Sequence, residues 1–272
     1  MSRHVMEMLG RSTVTIEDGK VVSITEPKVK VCPLFRDHRG IQEFNEDTIR
    51  KNVEFRIKDF GMCNEDRQIR MGYFLSFGVS EILCLALKNK MINAAVIAAD
   101  GCGTVVLDDP EIVQGMGGRI SGIKETEPIP CVIEGIGAER VLDPKTAKID
   151  QFDGVGKAFA MHYHKVAVTV TTGEAAQEIK DCFGRNVIII AVHTTGTDDR
   201  GADMMFDFCD IITACASKSI REKAKTRAVL QAGKKVPVYA ASEAGAELIK
   251  AKLDELGKQP DTELTESPEP LI

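Results

Sequence analysis

Residues 193–200 form the richest chemical cluster in this 272-residue chain. They read His-Thr-Thr-Gly-Thr-Asp-Asp-Arg and follow directly on an apolar, β-rich run at 186–192. An imidazole at the end of a buried strand suits a general base or a metal ligand, which makes His193 a candidate catalytic residue. Asp198 is a second candidate, because a carboxylate can hold a divalent cation beside a phosphate. The alternative is structural: such an aspartate can cap the next helix, and His193 can be a hydrogen-bonded residue at a strand end.

Loops of small polar residues also follow three other apolar runs, at 165–170, 210–214 and 236–239. Each loop precedes a predicted helix, and a helix N-terminus presents unpaired N–H groups with a partial positive charge. This predicts an anion or nucleotide site at the strand ends. Threonine and serine are also ordinary helix caps, and neither Thr-Thr-Gly loop is a Walker A sequence or a Rossmann glycine fingerprint. The candidate binding residues are Thr171, Thr172, Gly173, Thr194, Thr195, Gly196, Ser217 and Ser242.

Four of the eight cysteines lie in or beside turns with polar or glycine neighbours, namely Cys32, Cys63, Cys102 and Cys215. If their side chains converge, they can hold an iron–sulfur cluster or another metal ion. The chain contains no Cys-x-x-Cys pair, so the spacing by itself does not indicate such a site. The alternatives are free reduced thiols, or a catalytic thiolate at Cys102, which stands between two glycines.

Residues 115–122, Gly-Met-Gly-Gly-Arg-Ile-Ser-Gly, are the most glycine-dense segment. Such a segment can be a mobile lid or a backbone nest that binds an anion, with Arg119 supplying the positive charge. The alternative is a flexible crossing loop. We count Arg119 with His193 and Asp198 among the candidate catalytic residues.

The elements that position these residues alternate between strand and helix in the second half of the chain. This alternation predicts an α/β fold with a mostly parallel sheet and helices on both faces, a Rossmann-like three-layer arrangement. A small β-hairpin with an Asp-Gly turn precedes it near the N-terminus, followed by a helix from about residue 45 to residue 61. We expect an N-terminal hairpin and helix appendage over 1–70, an α/β body over 71–256 and a disordered acidic tail over 257–272.

Composition narrows the class of protein. The net charge is −6 with both signs mixed along the chain, which disfavours a nucleic-acid binder. No apolar run approaches the length that spans a bilayer, and the first residues lack the apolar core of a signal peptide. We therefore expect a cytoplasmic protein with reduced cysteines and no membrane partner.

Several strings resemble one family of archaeal proteins, the methanogenesis marker protein 8 family, a domain of unknown function. They are Cys-Pro-Leu-Phe at 32–35, Phe-Arg-Ile-Lys-Asp-Phe-Gly-Met-Cys at 55–63, Asp-Gly-Cys-Gly-Thr at 100–104 and Val-Gln-Gly-Met-Gly-Gly-Arg-Ile-Ser-Gly at 113–122. The likeness extends over nearly the whole chain up to the acidic tail. It implies a methane-producing archaeon, and it brings no reaction or catalytic residue with it.

Two functions follow. The resemblance implies an assembly, maturation or cofactor-handling factor with protein partners in the methyl-coenzyme M reductase system, its cofactor unknown and an iron–sulfur cluster or other metal a candidate. The strand-end chemistry favours an enzyme that binds a phosphate-bearing small molecule or nucleotide, with His193 as acid or base.

Overall fold

The structure is a computed structural model that describes residues 2–73, 77–118, 122–261 and 263–272. In chain order, its strands are β1 (Arg3–Glu7), β2 (Thr13–Glu17), β3 (Lys20–Ile24), β4 (Ala94–Ala99), β5 (Gly103–Leu107), β6 (Gly122–Thr126), β7 (Val166–Val170), β8 (Val187–Ala191), β9 (Ile211–Thr213), β10 (Leu230–Ala232) and β11 (Val238–Ala240). Its α-helices are α1 (Pro33–Arg39), α2 (Glu46–Phe60), α3 (Val79–Lys88), α4 (Pro110–Gly117), α5 (Pro130–Ile136), α6 (Gln151–Ala160), α7 (Gly173–Phe183), α8 (Asp199–Phe208), α9 (Lys218–Arg227) and α10 (Glu243–Glu255).

The large sheet has seven strands in the order β10-β11-β9-β8-β7-β4-β5. Its centre is parallel, because β4, β7, β8 and β9 run in the same direction. The neighbours of this centre, β5 and β11, run antiparallel to it. The sequence of β8, Val-Ile-Ile-Ile-Ala, is buried along its whole length, as expected for a parallel strand covered on both faces. The prediction of an α/β protein with a mostly parallel sheet is confirmed.

Helices cover both faces of the large sheet. Buried residues of α6, α7, α8 and α9 pack on one face, and those of α3, α4, α5 and α10 pack on the other. The parallel strands follow one another in chain order across the sheet, and the helices directly before β7, β8 and β9, namely α6, α7 and α8, pack on one face. In many α/β sheets a ligand crevice forms where the order in which strands are added changes direction. The parallel strands here are all added in the same direction, so the large sheet does not form such a crevice by itself.

The predicted N-terminal hairpin, β2 and β3, belongs to a four-stranded antiparallel sheet in the order β3-β2-β1-β6. Its last strand, β6, comes from the middle of the chain and pairs with β1. The predicted helix near residue 45 is confirmed as α2, which the Asn45 side chain caps and which ends at Gly61 in the left-handed region. This small sheet therefore includes a strand that we had placed within the 71–256 body.

A buried ion pair joins the two sheets. Asp100, in the turn between β4 and β5, accepts hydrogen bonds from Arg67 Nε at 3.0 Å and from the backbone N–H of Cys63 at 2.7 Å. The Arg67 guanidinium also donates to the carbonyl of Gly115 at 2.9 Å and lies over the ring of Phe60. Both charged side chains are fully buried and hydrogen-bonded, so removing either would leave an uncompensated charge in the interior.

One expectation differs from the structure. The strand at 236–239 was expected to end beside the other strand ends, but β11 runs antiparallel to β9 and therefore ends at the opposite edge of the sheet. The described part of residues 257–272 hydrogen-bonds to the rest of the chain through Glu269 with Val31 and through Ile272 with Ala216. None of the helices in the described ranges is long and apolar enough to cross a membrane.

Candidate functional site

A crevice lies between the small sheet and the carboxyl ends of the parallel strands. It has two connected chambers, which we name the glutamine chamber, bordered by Gln151, and the thiol chamber, bordered by Cys32 and Cys215. Their volumes are about 180 Å³ and about 420 Å³. Both chambers are bordered by the start of α3, the end of α4 and the end of β8, through Val79, Ser80, Gly117, Val192 and His193.

His193 stands where the two chambers meet. It lies two residues after the end of β8 and has φ 55°, in the left-handed region that a non-glycine residue rarely adopts. Its ring lies against the backbone of Gly122, where a Cβ atom would come within 3.1 Å of His193 Cγ. His193 is exposed towards the crevice, but protein atoms crowd the imidazole on its other sides, and this desolvation lowers the pKa of His193 to about 4.

The glutamine chamber has polar groups on one side and apolar side chains on the other. Gln151 is fixed by a hydrogen bond from Thr104 and by its own donation to the carbonyl of Thr169 at 2.6 Å. Thr171 follows β7 and borders this chamber, together with the apolar Leu83, Ile97 and Val113. This combination of an apolar wall and a few fixed polar groups is typical of small-molecule sites.

The thiol chamber contains ionic groups from the small sheet. Arg11 Nε lies 3.7 Å from a carboxylate oxygen of Glu7, and Lys124 Nζ lies 3.8 Å from the same oxygen. The Arg11 guanidinium lies directly against Gly196, where a Cβ atom would fall 1.5 Å from it. Burial raises the pKa of Glu7, and the positive charges of Arg11, Lys124 and Lys28 oppose that rise.

Cys32 and Cys215 both border the thiol chamber. Cys32 is the residue directly before α1, whereas Cys215 lies in the loop between β9 and α9. A hydrogen bond from the thiol of Cys215 lowers the pKa of Cys32 to about 6 against the effect of burial, and the backbone N–H groups of Phe35 and Leu34 lower it further. The pKa of Cys215 is raised well above its ordinary value by the same pairing and by burial.

A buried carboxylate, that of Glu81, lies in the first turn of α3. Glu81 accepts hydrogen bonds from Gln114 Nε2 at 2.8 Å and from the Ser80 hydroxyl at 3.0 Å, and it borders the thiol chamber. Gly78 allows this close packing, since a Cβ atom there would lie 2.5 Å from the Glu81 carboxylate. The thiol chamber is therefore lined by both signs of charge, with Arg11 beside Glu7 and with Glu81 in the first turn of α3.

Several predicted binding residues are helix caps in the structure. The side chains of Thr172, Asp198, Ser217 and Ser242 accept hydrogen bonds from backbone N–H groups in the first turns of α7, α8, α9 and α10. Ser242 also donates to Asp210 at 2.6 Å, at the edge of the sheet away from the crevice. Because these side chains already satisfy helix N–H groups, the structure favours the capping role over anion binding at these positions.

The other predicted residues divide into two groups. Thr171, Thr195 and His193 border the crevice. Thr194 is buried and donates to the carbonyl of Thr213 at 2.5 Å, and Gly196 is covered by Arg11. Gly173 is buried where α7 meets α8, since a Cβ atom there would lie 2.5 Å from Met204 Cβ. Its lack of a side chain serves helix packing.

The four candidate metal ligands do not meet at one point. Cys63 and Cys102 are fully buried in the neighbourhood of Asp100 and Arg67, where burial raises the pKa of both thiols, whereas Cys32 and Cys215 face the crevice. Across the described ranges no group of three or more His, Cys, Asp or Glu side chains is placed to hold a metal ion. The structure thus places the four loop cysteines in two separate groups. Arg119 lies outside the described residues.

Sequence reasoning missed the contribution of the first strand. Glu7 ends β1 and Arg11 follows it, and both border the crevice, but the alternating pattern of Arg-His-Val-Met-Glu went unrecognised as a strand. Its buried positions, His4 and Met6, alternate with partly exposed ones, which is the signal that could have found it.

The fold and the crevice define an α/β protein with a candidate small-molecule site at the carboxyl ends of its parallel strands. A family model described as "Uncharacterized protein conserved in archaea (DUF2099)" matches residues 4–254, and the chain belongs to this family. It is 47% identical over 263 residues to an uncharacterized protein of Methanocaldococcus jannaschii, a match that covers 95% of this chain and 93% of that protein.

Proposed function

We propose that the protein is an enzyme that binds a small anionic molecule in the crevice, with His193 transferring a proton. The observation that carries this proposal is that His193 borders both chambers, two residues after the end of the central parallel strand β8. Parallel sheets bind their ligands at this end of the strands.

The backbone of His193 supports a functional role for the ring. A left-handed conformation at a non-glycine residue costs about 1–2 kcal/mol, and such strain concentrates at functional sites. In His193 this backbone conformation places the ring against Gly122, at the start of β6 in the small sheet. The low pKa keeps the imidazole neutral at pH 7, the form in which one ring nitrogen can accept a hydrogen bond from a bound molecule.

The thiol chamber supplies the attraction for an anion. Arg11 lies beside Glu7 in this chamber, and Lys124 and Lys28 also act on the Glu7 carboxylate, so three cations offset its charge, while the buried Glu81 borders the same chamber. A carboxylate or phosphate group there would gain a planar guanidinium donor from Arg11. The glutamine chamber would take the uncharged part of the same molecule.

Ligand binding to wild-type protein and to His193→Asn and Arg11→Ala variants tests this proposal. Small carboxylates and phosphate esters would be screened by thermal shift and their affinities measured by calorimetry. We expect Arg11→Ala to weaken binding of a ligand found in this way at least about tenfold, since a charged hydrogen bond contributes roughly 1.5–3 kcal/mol. We expect His193→Asn to abolish turnover of the ligand found in the screen. The affinity of this variant for the same ligand should stay within about threefold of the wild-type value.

The matched control is His162→Asn, because His162 also has a positive φ but does not border the crevice. This variant should behave as wild type in both assays. Equal binding by wild type and Arg11→Ala, or full turnover by His193→Asn, would refute the proposal.

A second proposal is the helper role in the methyl-coenzyme M reductase system, which the resemblance to methanogenesis marker protein 8 implies. A groove of about 690 Å³ favours a protein partner, because it combines exposed Leu34 and Phe55 with Lys234, Lys235 and Lys258. Affinity purification from a methane-producing archaeon, with wild type compared with Phe55→Ser, tests it. Recovery of reductase components with wild type and their loss with Phe55→Ser is expected, and equal recovery would contradict a role for the groove.

A further inference from the structure

Two cysteines from distant parts of the chain share the thiol chamber, and the protein fixes both of them there. Arg221 is 5% exposed and holds the loop that carries Cys215, donating to the carbonyl of Cys215 at 2.6 Å and to that of Ala214 at 3.1 Å. The Thr195 hydroxyl accepts a hydrogen bond at 3.3 Å from the backbone N–H of Ala216, in the same loop. These contacts fix the position of one thiol relative to the chamber.

The C-terminal residues hold the two cysteine segments together. Glu269 exchanges backbone hydrogen bonds with Val31, next to Cys32, at 2.9 and 3.0 Å. Three residues later, Ile272 donates to the carbonyl of Ala216 at 2.9 Å and accepts from the N–H of Lys218 at 3.0 Å. We call residues 267–272 the C-terminal strap, because they bridge the backbone beside Cys32 and the backbone beside Cys215.

The other cysteines lack this arrangement. Cys84 is buried with a pKa raised to about 12, and burial raises the pKa of Cys63, Cys102 and Cys209 as well. Cys131 and Cys182 are exposed, and neither borders the crevice. Cys32 and Cys215 thus combine a partner thiol, a nearby Arg221 and an open chamber.

We propose that Cys32 and Cys215 form a dithiol site that reduces a small organic disulfide bound in the thiol chamber. The Cys32 thiolate attacks one sulfur of the small disulfide, whose S–S bond breaks, and a mixed disulfide forms while one small thiolate leaves and takes up a proton. Cys215 then attacks the sulfur of Cys32. Its proton passes to the second departing thiolate, so the disulfide is reduced to two thiols and the protein is oxidised to a Cys32–Cys215 disulfide.

The acidity of Cys32 supports this order of attack, because a thiolate present at neutral pH is the nucleophile. Arg221 stabilises that charge from beneath the chamber. A chamber of about 420 Å³ gives room for a disulfide with small substituents beside both sulfurs. The inference does not depend on proton transfer by His193.

The test uses full-length protein purified without oxygen, in a Cys131→Ser/Cys182→Ser background that removes the exposed thiols. Bis(2-hydroxyethyl) disulfide is the probe, and intact-mass measurement with peptide mapping is the readout. We expect the background protein to lose two hydrogen atoms and to yield one linked peptide pair, Cys32 with Cys215. Adding Cys215→Ser should instead trap one hydroxyethylthio group on Cys32, and adding Cys32→Ser should slow the reaction about tenfold or more.

The Cys131→Ser/Cys182→Ser protein keeps both Cys32 and Cys215, so its linked peptide pair can be measured even if the Cys32→Ser and Cys215→Ser variants fail to fold. A persistent adduct without the linked pair, or modification spread equally over the buried cysteines, would overturn the proposal. So would a Cys32→Ser variant that reacts as fast as its parent.

Discussion

At the residue scale, His193 combines a strained backbone with a neutral ring. Its folded-state pKa of about 4 lies below the ordinary value of 6.5, so the unfolded chain binds a proton more readily. The stability that comes from keeping this ring neutral is complete above pH 6.5 and is lost as the pH falls towards 4. The crevice leaves part of the ring exposed, which limits the loss to about 1 kcal/mol.

His193→Asn should remove this pH dependence while keeping the backbone conformation, since asparagine tolerates positive φ better than most residues. The free energy of unfolding is measured with urea at pH 7 and again at pH 5. We expect the decrease between pH 7 and pH 5 to be smaller in the variant than in wild type. His4, whose pKa is also lowered by burial, contributes equally to both proteins and cancels in the comparison. An identical fall in the two proteins would show that the His193 ring is not shielded as the structure indicates.

At the element scale, two glycines at helix positions have opposite surroundings. Gly173 begins α7 against α8, with Met204 Cβ only 2.5 Å from the position of an added Cβ atom. Gly156 lies within α6, and the nearest atom to such a Cβ is Phe183 Cζ at 4.0 Å. An added methyl group would therefore clash with α8 at Gly173, whereas at Gly156 it would only make an ordinary van der Waals contact.

We expect Gly173→Ala to lower the free energy of unfolding by about 1–3 kcal/mol, because α7 and α8 must move apart. Gly156→Ala should raise it by about 0.4–1 kcal/mol through better helix propensity and a less flexible unfolded chain. Urea unfolding of both variants beside wild type gives the two values. If Gly173→Ala keeps full stability and instead loses ligand affinity, the glycine serves the site and the packing explanation is wrong.

Local signals were sufficient to predict elements and insufficient to predict their directions. The strand β8 is a continuous apolar run, and α2 lies between Asn45 and Gly61, which are recognisable start and stop residues. By contrast, β11 reads Val-Tyr-Ala, and nothing in three buried residues states which way a strand runs. The error moved Ser242 to the wrong edge of the sheet.

At the scale of the whole molecule, the crevice exists only because two sheets meet. The strand-end rule found His193, Thr171 and Thr195, since the large sheet alone brings these positions to one edge. Arg11 could not be found in this way, because its place follows from the pairing of β1 with β6 from the middle of the chain. Cys32 and Cys215 were singled out by their turns, but only the folded chain shows that they pair with each other rather than with Cys63 and Cys102.

The C-terminal strap provides a test of this dependence on distant contacts. Deleting residues 267–272 removes the backbone hydrogen bonds to Val31, Ala216 and Lys218 and the bond from Arg221 to Ser267. Two of these bonds join Val31, and one each joins Ala216, Lys218 and Arg221, so at roughly 0.5–1.5 kcal/mol for each bond we expect the free energy of unfolding to fall by about 2.5–7.5 kcal/mol. The spacing of the two thiols should also loosen, so that the truncated protein retains a mixed disulfide on Cys32 where the intact protein forms the internal one.

Glu266→Gln is the matched control, because Glu266 pairs only at the surface, with Arg36 and Lys235, and leaves the strap intact. An exposed pair contributes about 0–1 kcal/mol, so this variant should keep nearly full stability and should still form the internal disulfide. Mass spectrometry after treatment with the disulfide probe separates the outcomes. If the truncated chain closes the Cys32–Cys215 bond as readily as the control, the loops alone position the thiols, and the strap contributes to stability without shaping the site.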